Sequence, residues 1–211
     1  EGMLTEIRRW CDQHGVHLIL DEVMTGFGRT GAMFACQREQ VVPDFLCLAK
    51  GLTGGYLPLA ATMVQTAIYN AFLGEAEHAF YYGHSYTANQ LGCAAALANL
   101  DVFEQEKTLE NLPAKIELLE SLLAKIAERH DIVYEVRQCG MVAGIELRNP
   151  DGSPFPTSDR IGEKICLEAR SHGLLTRAIL DTITVLPPLS ITADEIRQAC
   201  AALDSAINTL S

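Results

Sequence analysis

The sequence predicts an α/β fold, with a mostly parallel sheet in residues 1–107 and a small α+β domain in residues 108–211. Three observations carry that reading. Short apolar runs alternate with helical patterns through the first part of the chain. Two of those runs end on a single ionisable side chain, an acid at Asp21 and an amine at Lys50. Helical content then rises around residues 107–113, and a second set of strands and helices follows.

The elements follow in order. Met3, Leu4, Ile7, Trp10 and Cys11 lie at helical spacing, and Gly15 supplies a stop signal. This pattern is under way from the start, with no initiator Met, so the chain is expected to be the C-terminal portion of something longer. Residues 16–21 read as a buried strand, 26–31 as a loop and 34–40 as a short helix ended by Val42-Pro43. A second buried strand is expected at 45–49, a third at 59–64 and a helix at 66–72. Such alternation implies a sheet covered on both faces.

The stretch 89–105 carries small or apolar residues on almost every face, which predicts a deeply buried helix. Residues 112–129 are amphipathic, with Ile116, Leu119, Leu122, Leu123 and Ile126 opposite Lys115, Glu120, Lys125 and Glu128. Strands are expected near 132–137 and 141–147, then a Pro/Gly loop at 149–156 and a helix at 158–172. Strands near 174–179 and 182–186 and a last helix at 193–208 complete the small domain.

Bulk properties exclude several classes. Of the 211 residues, 48% are hydrophobic, so a packed core is expected rather than disorder. The formal net charge of −11 argues against a nucleic-acid partner, whose backbone calls for basic patches. Seven widely spaced cysteines with no C-x-x-C argue against a disulfide framework or zinc ribbon and fit a reducing cytoplasm. No apolar stretch is long enough to span a membrane, and no signal peptide is evident.

The informative chemistry lies at the two strand ends. Ligands of open α/β sheets sit beyond the carboxyl ends of the strands. An amine delivered there can form a Schiff base with a cofactor aldehyde, and a carboxylate can keep a ring nitrogen protonated. That pairing is what pyridoxal phosphate (PLP) chemistry requires. A lysine that attacks a carbonyl must be neutral, and burial favours that form. The apolar run before Lys50 and the Gly-rich stretch after it are compatible with such burial.

Other motifs are weaker. Gly26-Phe27-Gly28-Arg29-Thr30-Gly31 matches G-x-G-x-x-G, but Asp21 and Glu22 would repel a pyrophosphate and Pro43 follows too soon for a full phosphate-binding helix. A glycine-bent loop is the better reading. In residues 82–89, Ser85 and Thr87 are candidates to donate to a phosphate at a helix start, while Asn89 equally serves as a plain N-cap. His84 is as consistent with a structural role as with a catalytic one. Arg177, inside an apolar run, needs an anion or a route to water. A substrate carboxylate, an internal salt bridge and an exposed strand face all remain open. His14 and His17 lack acids or cysteines at metal-ligand spacing, so no metal site is expected.

The segments 20–31 (LDEVMTGFGRTG) and 43–56 (PDFLCLAKGLTGGY) resemble the aspartate and lysine segments of class III PLP-dependent aminotransferases. The resemblance runs over essentially the whole chain. It implies the type I PLP-dependent transferase (aspartate aminotransferase-like) fold and a homodimer with active sites at the subunit interface. It also implies that Lys50 is the Schiff-base lysine and proton shuttle, and that Asp21 pairs with the pyridine nitrogen. Ser85 would reach the phosphate of the neighbouring subunit's cofactor, and Arg177 would hold a substrate carboxylate. Tyr56, Gly83 and His84 would lie close by.

Three stretches, 54–62, 83–86 with 89–96, and Arg177 with 185–188, are similar to a biotin-pathway subgroup that uses S-adenosylmethionine as amino donor and 8-amino-7-oxononanoate as acceptor. Met24 stands where many other members place Gln, which weakens an ornithine- or aminobutyrate-type reading. The family's N-terminal phosphate loop and donor pocket have no counterpart in these residues. Another class III ω-aminotransferase, or an inactive fragment acting only in assembly, are the alternatives.

Overall fold

Helix α1 (Met3–His14) ends where glycine permits it. Gly15 takes φ 63° and its N–H bonds back to the Cys11 carbonyl, closing the last turn. The computed structural model describes residues 2–210. Of the stripe on α1 only Cys11 is buried, packed with Leu18 and Val41, and Trp10 stays open to solvent.

Strand β1 (Ile19–Asp21) pairs in parallel with β2 (Phe45–Leu48), in the register Ile19 to Phe45, Leu20 to Leu46 and Asp21 to Cys47. The third strand, β3 (Ala61–Val64), runs antiparallel to β2, so the three-stranded sheet is mixed. The reason is the connection. A parallel return needs a crossover over the sheet face. The chain after β2 makes only a 3-10 turn, Lys50–Thr53, before folding back. Between β1 and β2 the segment expected as a helix is likewise a 3-10 turn, Ala35–Glu39.

Helix α1 is tied to the sheet by Asp44. Its Oδ2 accepts from Arg8 at 2.7 Å and from the Leu18 N–H at 2.7 Å, and His17 lies 3.7 Å from Oδ1. The Arg8 hydrogen bond first, and then the Leu18 N–H, hold the Asp44 carboxyl below the ordinary carboxylate range. A depressed folded-state pKa contributes stability that is complete above the unfolded value of about 3.9 and disappears as pH falls through the folded value. Asp44→Asn is therefore expected to lower stability at neutral pH and to flatten the acid limb of the stability curve below about pH 4. Urea unfolding at a series of pH values measures both.

Helix α2 (Thr66–Asn70) is followed by the long helix α3 (Gln90–Gln105). The deep burial expected of α3 is not found. Only Gly92 and Ala96 are buried, while Leu91 and Leu97 are 71% and 65% exposed. Composition reports what a face needs, not what covers it. The same holds for the first strand, expected buried: Ile19 is 60% exposed, whereas in β2 Leu48 is buried and the rest half-buried.

The chain divides into two compact units, Glu1–Thr108 and Leu109–Ser211. The second has the larger core. Helix α4 (Thr108–Arg129) starts before the expected residue 112, since Pro113 lies early enough to cost the helix little. Leu112, Leu119, Leu123 and Ile126 line its buried face. They pack on a four-stranded antiparallel sheet of β4 (Val133–Cys139), β5 (Val142–Leu147), β6 (Arg177–Ile179) and β7 (Thr182–Val185), in the order β4-β5-β7-β6. Helices α5 (Ile161–Ser171) and α6 (Ala193–Leu210) complete the layer, with Ile165, Ala169, Leu203 and Ile207 fully buried or nearly so.

Helix α5 begins after residue 160, later than expected, because Arg160 at φ 50° separates it from the 3-10 turn Thr157–Asp159, and Gly162 then approaches the β6–β7 turn. A Cβ there would lie 2.6 Å from the Leu180 carbonyl oxygen. In the same contact the Gly162 N–H donates to Asp181 Oδ1 at 2.9 Å.

Candidate active site

The parallel pairing of β1 and β2 sets Asp21 and Lys50 on one edge of the sheet. Asp21 is the last residue of β1 and stands in register with Cys47, three positions before Lys50. Asp21 is exposed. Its Oδ1 accepts from the Val23 N–H at 2.9 Å, and Oδ2 has no partner among the described residues.

Glu22, one position on, is buried, a role the sequence reading did not foresee. Its carboxylate accepts from the N–H groups of Ala35 at 2.6 Å and Cys36 at 2.8 Å, and from the Thr25 hydroxyl at 3.1 Å. The loop 26–31 is thereby stapled under the strand end. Burial, reinforced by Glu22, pushes the Cys36 thiol up to about 11, so this cysteine is inert at neutral pH. The adjacent-acid pair was the available signal, because successive strand residues point to opposite faces.

Lys50 sits at φ 42°, a left-handed conformation that an L side chain adopts only under constraint. Its amine has no hydrogen-bond or ion-pair partner among the described residues. The burial expected for it is absent within this unit, and the side chain is exposed. The turn beneath it is tightly built. A Cβ on Gly51 would lie 2.7 Å from Phe27 Cβ, so glycine lets the lysine turn rest on Phe27. Phe27 is itself buried and meets Phe34 edge-on at 5.7 Å. From α3, Asn99 Nδ2 donates to the carbonyls of Gly51 at 2.8 Å and Leu52 at 3.3 Å. Neither Phe27 nor Asn99 was singled out from sequence. An amide in the interior of an Ala-rich helix was the signal for Asn99.

Lys50, Tyr56 and His84 line one cavity of about 880 Å³, together with Leu59, Tyr86 and Asn89. Gly83 and Ser85 belong to the same exposed loop without lining that cavity, and neither does Asp21. The loop closes on itself: the His84 N–H donates to Thr87 Oγ1 at 3.0 Å, and the Tyr86 N–H to His84 Nδ1 at 3.1 Å. Asn89 caps α3, accepting from the Gly92 N–H at 2.9 Å. The Ser85 side chain has no partner among the described residues.

Arg177 lies in the second unit, on the edge strand β6. Of the three possibilities left open for it, an internal salt bridge is not formed. The guanidinium is exposed, without a partner among the described residues, and lines a cavity of about 880 Å³ with Glu146, Arg148, Arg170 and Asp181. His14 bonds the Trp10 carbonyl at 2.8 Å and stacks on its ring.

Comparison with known proteins extends this picture. Residues 1–207 match the family model of aminotransferase class-III. The adenosylmethionine-8-amino-7-oxononanoate aminotransferase of Geobacter sulfurreducens is 47% identical over the whole chain, which covers 47% of that protein. The crystal structure of the enzyme of that name from Methanocaldococcus jannaschii superposes with a TM-score of 0.94 at 44% identity, over 99% of this chain and 49% of that one. An amine transaminase from an uncultivated Pseudomonas species, solved in its PLP-bound form, gives a TM-score of 0.92 at 37% identity, over 100% of this chain and 48% of that one. The chain thus spans about half the length of the curated relatives it matches. Its fold is the type I fold of PLP-dependent transferases, present in part. With the family model matched almost end to end, the chain belongs to the class III aminotransferases.

Proposed function

We propose that this chain is part of a PLP-dependent transaminase that moves an amino group from S-adenosylmethionine to 8-amino-7-oxononanoate, giving 7,8-diaminononanoate for biotin synthesis. One observation carries the chemistry: Asp21 and Lys50 leave adjacent parallel strands at the same sheet edge. The names and identities of the relatives above support the substrate pair. Residues 1–107 are read as the C-terminal part of the cofactor-binding large domain, and residues 108–211 as the small domain.

The residues present fit the cofactor. A carboxylate with an open Oδ2 and an amine without a partner are the donor set that a protonated pyridine nitrogen and an aldehyde call for. When bound, PLP supplies an electron sink beside the carbon that loses its proton. Lys50 then has two tasks. Its Nζ would hold the cofactor covalently, and the same amine would serve as the proton carrier at the substrate carbon. Asp21 accepts from the ring N–H and keeps that nitrogen charged. Ser85 donates to the phosphate of the neighbouring subunit's cofactor, Arg177 clamps the acceptor's carboxylate, and Tyr56, Gly83 and His84 shape the substrate space. The open aromatic loop, with Tyr82 80% and Tyr86 74% exposed, supports a homodimer whose partner covers it. The wide spacing of the seven cysteines, with no C-x-x-C, supports a cytoplasmic location.

The full-length protein is expected to transfer the amino group of S-adenosylmethionine to 8-amino-7-oxononanoate, with product measured by mass spectrometry. Activity with simple ω-amines but none with S-adenosylmethionine would favour the second reading, a general amine transaminase. The likeness to the Pseudomonas enzyme supports that rival.

A further inference from the structure

Helix α3 meets the lysine turn through one polar side chain. Asn99 Nδ2 bridges the carbonyls of the two residues that follow Lys50, at 2.8 and 3.3 Å. Its Oδ1 lies against Gly54, at φ 61°, where an added Cβ would come within 2.8 Å of it. The amide therefore meets the turn at three positions: Gly51, Leu52 and, across the gap left by a missing Cβ, Gly54. Lys50 itself is held at φ 42°, a conformation its own side chain disfavours, so neighbouring contacts must maintain it. Phe27 supports the turn from below through Gly51, and Asn99 holds its carbonyls.

Helix α3 also begins in the loop that carries His84 and Ser85. Asn89 caps it, and a Cβ on Gly92 would lie 3.5 Å from the Pro58 carbonyl oxygen and from the Leu59 side chain. One rigid helix thus contacts the lysine turn, the segment after it and the loop that shares the Lys50 cavity.

We propose that Asn99 is a positioning residue for Lys50, fixing the direction in which the amine leaves the turn and coupling that direction to the loop at 83–89. This rests on the reading of Lys50 as the cofactor lysine. The chemistry of the amide is specific. Aspartate has the same shape but presents an oxygen to two carbonyl oxygens, and leucine takes the side-chain donor from both, leaving the Gly51 carbonyl only its bond from the Gly54 N–H. Glutamine restores a donor on a longer arm.

The test uses the full-length protein loaded with pyridoxal 5′-phosphate. Three quantities are read: hydrogen exchange over residues 49–54, the pH midpoint of the bound cofactor's visible absorbance, and the melting temperature. Asn99→Asp and Asn99→Leu are expected to raise exchange in that peptide about tenfold and to move the midpoint by about half a pH unit or more. Asn99→Gln is expected to return both part of the way. Asn99→Ser, smaller and too short to reach both carbonyls, provides a variant that does not overfill the site and is expected to behave like leucine. A fall in melting temperature with an unchanged midpoint would reduce Asn99 to a structural role and overturn the proposal. Lys50→Ala separates the two readings. If it leaves the absorbance band intact, the lysine assignment fails and the proposal with it. If it abolishes the band while the Asn99 variants keep the parental midpoint and exchange, only the proposal fails.

Discussion

Lys50→Ala in the full-length protein is expected to reduce transamination by about 10⁴-fold or more, since it removes both a covalent partner and a proton carrier. Stability is expected to stay within about 0.5 kcal/mol of the parent, because the Lys50 amine has no partner within the described residues. Lys50→Gly sharpens the test. At φ 42° glycine escapes the penalty that any side chain meets, so this variant is expected to be as inactive and more stable, by about 1 kcal/mol. Lys50→Arg keeps the charge but cannot give up its proton, and is expected to be as inactive as alanine. Borohydride treatment of the cofactor-loaded parent, followed by peptide mapping, is expected to fix the label on Lys50. Label on another lysine would overturn the assignment. A residue that weakens its fold by standing where it does, and bonds to nothing there, fits a side chain kept for chemistry rather than for packing.

The sequence reading located the elements well where periodicity and punctuation agreed. The strand expected at 45–49 is found at Phe45–Leu48, and the Gly15 stop of α1 is made by the predicted cap. The amphipathic face of α4 was visible because Leu119, Leu123 and Ile126 recur at helical spacing, and they are buried as expected. What pattern could not supply was partnership across space. The apolar character of α3 suggested burial, yet Leu91 and Leu97 face outward in this unit. Alternation of runs suggested a mostly parallel sheet, but β3 returns antiparallel because its connection holds only a 3-10 turn. Arg177 looked costly inside an apolar run, but β6 is an edge strand and its side chain reaches water without desolvation. Asn99 showed only as an amide inside an Ala-rich helix and Phe27 not at all, because their roles lie in what they touch, respectively 48 positions before and in a glycine gap after.

The two neighbouring acids should separate cleanly. Asp21→Asn keeps the shape and the bond from the Val23 N–H while removing the charge. Its melting temperature is expected to match the parent, and its activity to fall on the order of 10²-fold or more, as the ring nitrogen loses the carboxylate that holds its proton. Glu22→Ala is expected to do the reverse first. It strands the Ala35 and Cys36 N–H groups and the Thr25 hydroxyl beside a buried gap. At about 1–3 kcal/mol for each of these three groups, the loss is expected to reach roughly 3 kcal/mol or more, seen as a lower urea midpoint. Activity should then decline with the folded fraction, and stabilising conditions should restore it. For Asp21→Asn no such rescue is expected. Exchanged phenotypes, with Asp21→Asn unfolding the protein and Glu22→Ala silent, would mean that β1 is one residue out of register with β2, since such a slip turns every side chain to the other face.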